Sequence, residues 1–201
     1  PLSDGIPTKQ GFDFFYGYNC QRQAHTYFPL HLWKNEEKVP LDNELVVPGT
    51  LLDENADPLD PASYSRYWLK DFSPDFMLRE ALGFIRDNRE KPFFLYFSTP
   101  IPHNPLQAPR ELVDHYVEKF GDEPPYLGDR GYFPHRHPHA AYAAQISCLD
   151  DQIGQMIALL KEQGLYENTL IIFTSDNGPT YSGGVDAAYF NSAGPFRSDH
   201  G

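Results

Sequence analysis

The chain has 201 residues, of which 16 are Lys or Arg and 28 are Asp or Glu, so its formal net charge is −12. Hydrophobic residues make up 40% of the sequence and aromatic residues 15%, which is typical of a folded domain with a sizeable core and excludes a disordered chain. The acidic balance argues against a nucleic-acid partner, and no apolar run approaches the roughly 20 residues of a membrane-spanning helix.

The first elements are predicted to be short. Residues 1–30 are rich in aromatic residues and glycine without a helical period, which indicates an irregular, partly buried segment. Leu32-Trp33 and Lys38-Val39 flank a polar tip at Asn35-Glu36-Glu37, a pattern typical of a hairpin. Residues 40–72 are rich in Pro, Asp and Asn and are predicted to be mostly loop.

A helix and a buried strand are predicted next. Ser73-Pro74-Asp75 is a helix start, with Ser as the N-cap and Pro at the first helical position, and the helical pattern continues to about Glu90. The apolar run 93–97 predicts a strand buried on both faces. A long loop is expected over residues 99–138.

A second helix–strand unit completes the predicted fold. Apolar residues recur at steps of three and four until Gly164, where the helix is expected to end: Tyr142, Ile146, Leu149, Ile153, Met156 and Leu160. The run 169–174 predicts a second doubly buried strand. Helix–strand alternation predicts an α/β domain with a mainly parallel sheet flanked by helices.

Asp176 and Asn177 follow the second predicted strand, at the end where open α/β sheets bind ligands. Their carboxylate and amide oxygens are hard donors suited to Ca²⁺ or Mg²⁺. Together with Gly178 and Pro179 they also form an ordinary turn sequence, and turn residues outnumber metal ligands. These four residues alone therefore leave both interpretations open and favour the turn.

His103 follows the first predicted strand, between Pro102 and Pro105, where the backbone has little freedom. Its imidazole is suited to donating to an anionic substrate or protonating a leaving group. The residues alone favour the other interpretation, a loop histidine hydrogen-bonded to a backbone carbonyl. Arg22 and His25 are placed to reach a substrate, but nothing local distinguishes that role from packing.

Two further groups of polar residues, a histidine-rich cluster and a pair of aspartates, are weaker candidates for a functional site. His135, Arg136, His137 and His139 form a cluster whose composition suggests transition-metal binding, but the surroundings are Pro-rich and offer no cysteine or neighbouring carboxylate, which favours an exposed loop. Asp150-Asp151 lies within a predicted helix, where adjacent side chains point about 100° apart, so a solvated face is expected rather than joint acid–base chemistry.

Several motifs occur in order from about residue 6 to residue 197. They are Gly11-Phe12-Asp13-x-Phe15-Tyr16-Gly17-Tyr18, Pro92-Phe93-Phe94-Leu95, Pro102-His103-x-Pro105-Leu106-Gln107, Leu149-Asp150-x-x-x-Gly154, and Glu167-Asn168-Thr169-x-Ile171-Ile172-Phe173-Thr174-Ser175-Asp176-Asn177-Gly178. Each motif is weak alone, but the ordered series resembles the arylsulfatase family. That resemblance implies an alkaline-phosphatase-like α/β fold, present here in part.

The resemblance also implies a function, hydrolysis of small-molecule or glycan sulfate esters. Asp176 and Asn177 correspond to the second half of a Ca²⁺ site, with Mg²⁺ as an alternative, and His103 to the histidine that contacts the sulfate and assists the leaving group. The family nucleophile is a formylglycine made from Cys or Ser in a C-x-P-S-R sequence. Family members are commonly periplasmic, secreted or lysosomal, so one of these compartments is expected.

The sequence departs from the family pattern in ways that suggest an internal piece. Neither Cys20 nor Cys148 lies in C-x-P-S-R, and two cysteines are too few for a disulfide framework, although the sequence leaves their pairing open. The first metal aspartates, the Gly-Lys-Trp-type segment and the lysine expected after Arg197 are missing. Residues 1–201 are therefore expected to be the central part of one sulfatase catalytic domain, inactive alone, with its nucleophile segment and C-terminal part outside.

Two other functions stay open from the sequence. One is a phosphodiesterase or phosphonate hydrolase of the same superfamily, with a Thr or Ser nucleophile and two metals. The other is a non-catalytic relative that binds sulfated glycans through the same pocket. The residues upstream would separate them, because only a sulfatase needs the modifiable C-x-P-S-R sequence.

Overall fold

A computed structural model of the chain describes residues 4–128 and 131–196. Within these residues it contains three α-helices and one three-stranded antiparallel sheet, joined by long loops and short 3₁₀ turns. The strands are β1 (Tyr16–Gly17), β2 (His31–Lys34) and β3 (Glu37–Pro40), and the helices are α1 (Ser73–Asp87), α2 (Arg110–Phe120) and α3 (Pro138–Glu162). The 3₁₀ turns span Pro7–Lys9, Gln23–His25, Pro61–Tyr67 and Tyr166–Asn168.

The predicted hairpin is confirmed. β2 and β3 pair antiparallel, with Leu32 opposite Val39, and β1 adds to the other edge of β2. Asn35 begins the connecting turn with a φ of 55°, a left-handed conformation that asparagine tolerates better than most residues. Its side-chain oxygen accepts a hydrogen bond from the Phe15 N–H at 2.9 Å, so the turn also holds the aromatic N-terminal segment.

Helix α1 begins at the predicted residue, but Ser73 does not cap it. The capping position is Phe72, and no side chain there bonds to the first turn. The fully buried Ser73 hydroxyl instead donates to the Tyr27 carbonyl at 2.9 Å and contacts the Tyr18 hydroxyl. The prediction of an N-cap was wrong because the tertiary structure uses this hydroxyl to attach the N-terminal segment to α1.

Helix α3 lies where the apolar pattern predicted it, and Gly164, with a φ of +70°, follows its end. Its buried side, however, is turned from the predicted one. Ile146 of the predicted stripe is 43% exposed, whereas the adjacent position Gln145 is completely buried. Successive helical residues point about 100° apart, so the packed face is rotated by roughly one residue.

Helix α2 accounts for that rotation and was missed in the sequence, where residues 99–138 were expected to be loop. It packs along α3, and Val113 meets Ala140, Ala141 and Ala144 in one core cluster. Small alanine side chains let the two helices approach closely. Because α2 buries only Val113 fully and is otherwise mostly charged or half-exposed, its own sequence carries little apolar signal.

The two runs predicted as doubly buried strands form no strand within the described residues. Phe93 and Leu95 pack on a cluster with Ile85 and Leu160, but Phe94 is 75% exposed. In the second run, residues 169–174, Ile172 is 77% exposed. Within the described residues the two runs are therefore not covered on both faces, since a strand needs paired neighbours to be covered and the sheet described here is antiparallel and lies elsewhere.

No helix of residues 4–128 and 131–196 combines the length and the apolar character needed to cross a bilayer. Helix α3 has 25 residues, but charged and amide side chains occur along it.

Candidate functional site

His103 lies in the loop of residues 99–107, which we call the histidine loop. The His103 N–H donates to the Pro100 carbonyl at 2.8 Å, closing a tight turn. The Tyr27 hydroxyl, from the N-terminal segment, donates to the same carbonyl at 2.9 Å. Because Tyr27 is completely buried, the turn is attached to the core and not only to itself.

Two buried glutamines hold the rest of the histidine loop. The Gln145 amide of α3 donates to the carbonyl of Pro105 at 2.8 Å, and at 3.3 Å to those of His103 and Gln107. Gln107 accepts from the Tyr27 N–H and donates to the Tyr67 carbonyl, both at 2.8 Å. A buried carbonyl needs a hydrogen-bond partner, so these amides determine the backbone path on either side of His103.

The His103 ring is oriented by its own loop. Its Nδ1 lies 2.6 Å from the Asn104 carbonyl, which can only accept, so Nδ1 carries the proton. The predicted hydrogen bond between a loop histidine and a backbone carbonyl is thus confirmed. Nε2 bonds to nothing in the described part of the chain, and the residue is exposed. Nε2 is an acceptor in the neutral ring and a donor in the protonated ring.

Two other rings surround His103. The His25 and His103 ring centroids are 6.0 Å apart and nearly parallel, and Tyr132 lies 5.5 Å from His25 and 6.0 Å from His103. Partial burial lowers the pKa of His25, and the neighbouring His103 lowers it further. The sequence identified His25 as a candidate but contained no signal that it would meet a histidine 78 positions later.

The histidine loop also contacts the segment that follows Asp176. The Asn104 side chain donates to the Ser182 carbonyl at 3.2 Å. Gly183 allows this approach: its φ is +69°, and a Cβ there would lie 2.3 Å from the Asn104 Nδ2. The two regions predicted to share one edge of the sheet are therefore joined, through Asn104 and residues 182–183.

Asp176 and Asn177 themselves are exposed and lie in a bend, as the turn interpretation predicted. The Ser175 hydroxyl donates to the Asn177 carbonyl at 2.9 Å, and neither side chain bonds to His103 within the described residues. Their oxygens fit Ca²⁺ in type, but Ca²⁺ takes about six to eight ligands. Residues 4–128 and 131–196 contain no group of three or more His, Cys, Asp or Glu arranged for a metal, so the two do not complete a site alone.

The histidine cluster was predicted to be an exposed loop, and that prediction was wrong. His135 and Arg136 are only 5% and 8% exposed. The Arg136 guanidinium donates to the carbonyls of Leu59 and Glu123 and pairs with Asp122. Burial, reinforced by His137, lowers the pKa of His135 to about 3, so this ring is neutral at physiological pH.

A carboxylate that the sequence did not place near the cluster explains its arrangement. Glu123 accepts from the backbone N–H groups of His139 and Ala140, at the start of α3, and lies 2.9 Å from the His139 Nδ1. It thereby satisfies free donors of the first helical turn. His139 also stacks on Tyr189 at 4.2 Å. The cluster packs and caps a helix, and among the described residues it forms no metal site.

The two aspartates of α3 and the two cysteines take no part in the candidate site. Asp150 and Asp151 are exposed on α3, which confirms the solvated face. Cys20 is exposed and Cys148 buried, and neither is in a disulfide. Arg197, after which a substrate lysine was expected, lies outside the described residues, as do both ends of the chain.

His103 thus lies on a loop held by buried side chains, next to a segment that carries oxygen donors. Comparison with known families identifies the class of protein, since the family model described as Sulfatase matches residues 3–200. The chain belongs to the sulfatase family. This confirms the resemblance inferred from the ordered motifs.

Individual proteins that the chain resembles are also named as sulfatases. The chain is 26% identical over 179 residues to the uncharacterized sulfatase YdeN of Escherichia coli strain K12, covering 88% of this chain and 24% of that protein. It is 27% identical over 176 residues to N-acetylgalactosamine-6-sulfatase of Rattus norvegicus, covering 86% of this chain and 27% of that protein. The chain thus spans about a quarter of the length of these relatives.

Solved structures support the fold. The crystal structure of Ps i-CgsB superimposes with a TM-score of 0.64 at 24% identity, covering 92% of this chain and 36% of that one. Its complex with k-i-k-neocarrahexaose gives a TM-score of 0.62. The α/β fold of these structures is therefore shared by this chain.

Proposed function

We propose that the chain carries part of the active site of an arylsulfatase-type sulfuric ester hydrolase, with His103 as a catalytic and substrate-contacting residue. The observation that carries this proposal is the geometry of the His103 ring. Nδ1–H is held by the Asn104 carbonyl at 2.6 Å, which leaves Nε2 available on an exposed ring. Membership of the sulfatase family supplies the class of reaction.

The proposed proton transfer follows from the fact that the Asn104 carbonyl holds Nδ1 of His103 and leaves Nε2 free to act. The Asn104 carbonyl holds the Nδ1 proton whether or not Nε2 carries one, so it orients the ring in both states. A protonated Nε2 can donate to a sulfuryl oxygen and, as the ester bond to sulfur breaks, pass its proton to the departing ester oxygen. The ring then returns to the neutral state with Nδ1–H still bonded to Asn104. The buried glutamines keep the ring in place during this exchange.

We propose that Asp176 and Asn177 supply two of the oxygen ligands of a Ca²⁺ ion, or of Mg²⁺ in its place, with further ligands from outside residues 1–201. When bound, the cation would stabilise negative charge on the sulfuryl oxygens. The formylglycine nucleophile is likewise proposed to lie outside these residues, since neither cysteine is in the required sequence. The 201-residue chain is therefore proposed to be the central part of a single catalytic domain, inactive by itself, in a periplasmic, secreted or lysosomal enzyme.

The mainly parallel sheet is part of the same proposal. Segments 93–97 and 169–174 run without strand partners in the described residues, and their outward side chains include Phe94, Leu170 and Ile172, which are 75%, 86% and 77% exposed. Neighbouring strands of a complete domain would cover these apolar side chains. The substrate is proposed to be a small-molecule or glycan sulfate ester, and the similarity to an N-acetylgalactosamine-6-sulfatase supports the glycan.

The test uses the full-length protein and measures hydrolysis of an aryl sulfate together with bound calcium. We expect Asp176→Ala to lose Ca²⁺ and activity together. We expect His103→Gln to keep Ca²⁺ but to lower kcat by about 10²–10⁴-fold, the usual contribution of a general acid. His115→Gln, at an exposed position of α2, is the matched control and should change neither quantity.

Three outcomes would contradict the proposal. Full activity with unchanged metal content in Asp176→Ala would remove the metal assignment. Hydrolysis of phosphate diesters with no hydrolysis of sulfate esters would favour the phosphodiesterase alternative. Turnover of an aryl sulfate by residues 1–201 alone would show that the nucleophile lies inside this chain.

A further inference from the structure

The three rings around the histidine loop, His25, His103 and Tyr132, form what we call the imidazole cluster. His25 reaches it from the 3₁₀ turn Gln23–His25, and Tyr132 from the segment that precedes α3. The separations of 5.5 to 6.0 Å between ring centroids are those of aromatic contacts in proteins, which have centroids about 4.5–7 Å apart. Two imidazoles from distant parts of the sequence therefore share one surface.

The nitrogens of this cluster are available to a ligand. The His25 ring makes no hydrogen bond to any residue the structure describes, and neither of its nitrogens is among the buried atoms that lack a partner. His103 bonds through Nδ1 alone. The His25 nitrogens and the His103 Nε2 therefore have no protein partner among the described residues, and they belong to neighbouring rings.

We propose that His25 is a second anion-binding residue of the site, acting with His103 on the sulfuryl group or on another anionic group of the same substrate. The inference rests on the proposed function of His103 and extends it to a residue with no assigned role. Tyr132 is proposed to position both rings by packing against them. The ligand is defined by its chemistry, a tetrahedral or carboxylate anion that accepts hydrogen bonds from two imidazolium rings.

Charge explains why a second histidine, rather than another aromatic residue, would be used here. Burial lowers the pKa of His25, and the neighbouring His103 lowers it further. The groups that face His25 in the described residues are His103 and Tyr132, and neither supplies negative charge. A bound anion has the opposite effect, because its negative charge favours the protonated form of both rings. Anion binding should therefore tighten as the pH falls through the pKa of His25, below 6.5.

The test follows both histidine rings by NMR while inorganic sulfate is added to the chain, with chloride at equal ionic strength as the reference. We expect sulfate, and not chloride, to shift the ring signals of both His25 and His103 and to raise both apparent pKa values. His25→Phe keeps the aromatic contact but removes the nitrogens, so it should weaken sulfate binding about tenfold, the typical effect of one charge-assisted hydrogen bond. His25→Gln keeps a donor and should lie between the two.

The outcomes separate this inference from the proposed function. Sulfate affinity unchanged in His25→Phe, or no sulfate-dependent shift of the His25 ring, would overturn it. In the full-length protein, an effect of His103→Gln with none of His25→Phe on KM for an aryl sulfate would remove His25 while leaving the proposed function intact. Sulfate binding that depends on both rings in a protein without sulfatase activity would support the anion site and remove the proposed function. His115→Phe, on the exposed side of α2, controls for loss of any histidine.

Discussion

The histidine loop and the segment 169–182 were both expected to present site residues beyond a strand, yet they are held in opposite ways. The histidine loop is bonded on both sides by the buried side chains of Tyr27, Gln107 and Gln145. Residues 170–178 are exposed, and the side-chain hydrogen bonds of Thr174 and Ser175 are local, to the carbonyls of Ser175 and Asn177. The position of His103 is therefore determined within the chain, whereas the proposed metal ligands lack comparable support in the described residues.

This difference matters for function because a general acid and a metal ligand need different kinds of support. A histidine on a loop acts only if its ring is fixed, and hydrogen bonds to the backbone accomplish this. Metal ligands are fixed in large part by the cation itself, since binding links ligands from several segments.

The largest effect is expected from pH, through the buried His135 close to the start of α3. Its pKa in the folded state is about 3, below the unfolded value of 6.5, so the unfolded chain takes up a proton first as the pH falls. The stability contributed by this neutral ring is complete above pH 6.5 and is lost towards about pH 3, by up to about 1.4 kcal/mol per pH unit.

Urea unfolding of the chain and of His135→Asn across this pH range measures the contribution. Asparagine keeps an acceptor for the His137 N–H, which bonds to the His135 Nδ1 at 3.0 Å, but does not titrate. The variant should show a shallower loss of stability on acidification, while His115→Asn should follow the parent. Equal slopes for the parent and His135→Asn would mean that His135 is protonated in the folded state.

Gln145→Leu tests whether a buried side chain holds the histidine loop in place. It removes the amide that donates to the carbonyls of His103, Pro105 and Gln107. The first two carbonyls keep donors in the Tyr27 hydroxyl and the Gln107 N–H, but the Gln107 carbonyl loses its donor among the described residues, and an unsatisfied buried carbonyl costs about 1–3 kcal/mol. Gln155→Leu, at an exposed position of the same helix, should change the free energy of unfolding by less than about 0.5 kcal/mol. Similar losses in both variants would show that Gln145 does not hold the loop.

Alanine substitutions at Gly183 and Gly164 form a matched pair that tests the contact between the histidine loop and residues 182–183. Their φ values are +69° and +70°, but a Cβ on Gly183 would lie 2.3 Å from Asn104 whereas one on Gly164 would meet nothing within 4 Å. Alanine at either position costs about 1–2 kcal/mol for the left-handed backbone. We expect Gly183→Ala to exceed Gly164→Ala by a further ~1 kcal/mol in urea unfolding, because a clash of this kind displaces a packed side chain. Equal costs would mean that Asn104 moves freely.

The smallest effect is expected at the exposed segment. In the 201-residue chain, Asp176→Ala should leave the free energy of unfolding within about 0.5 kcal/mol of the parent, as for most surface substitutions. The same substitution is expected to abolish metal binding in the full-length protein, so it separates stability from function. A loss above about 1 kcal/mol in thermal or urea unfolding would show that this segment is packed.

Much of the site could be found from residue types and spacing. His103, Asp176 and Asn177 became candidates because short motifs occur in order along the chain, and the family match confirms the family that this order indicated. The bond from His103 to a backbone carbonyl also followed from its loop. What could not be foreseen is the support from Gln145, a residue that reads as an ordinary polar position on a helix.

The histidine cluster shows the same limit. It was interpreted as exposed because its neighbours in sequence are proline and polar residues. Its burial depends on Glu123, Asp122 and the Leu59 carbonyl, the last of which lies 77 residues away and satisfies the Arg136 guanidinium. Buried polar groups are stable only when paired, and no local pattern reveals a partner at that distance.

Helices α1 and α3, the hairpin and the family follow from local patterns, because proline at a helix start, turn chemistry and apolar periodicity act over a few residues. Other features depend on packing between distant segments: the face that α3 buries, the neutral state of His135 and the meeting of His25 with His103. A helix can turn any apolar or small side towards its neighbour, and here α2 selects the alanine side. Long-range contacts therefore decided how the candidate site is assembled.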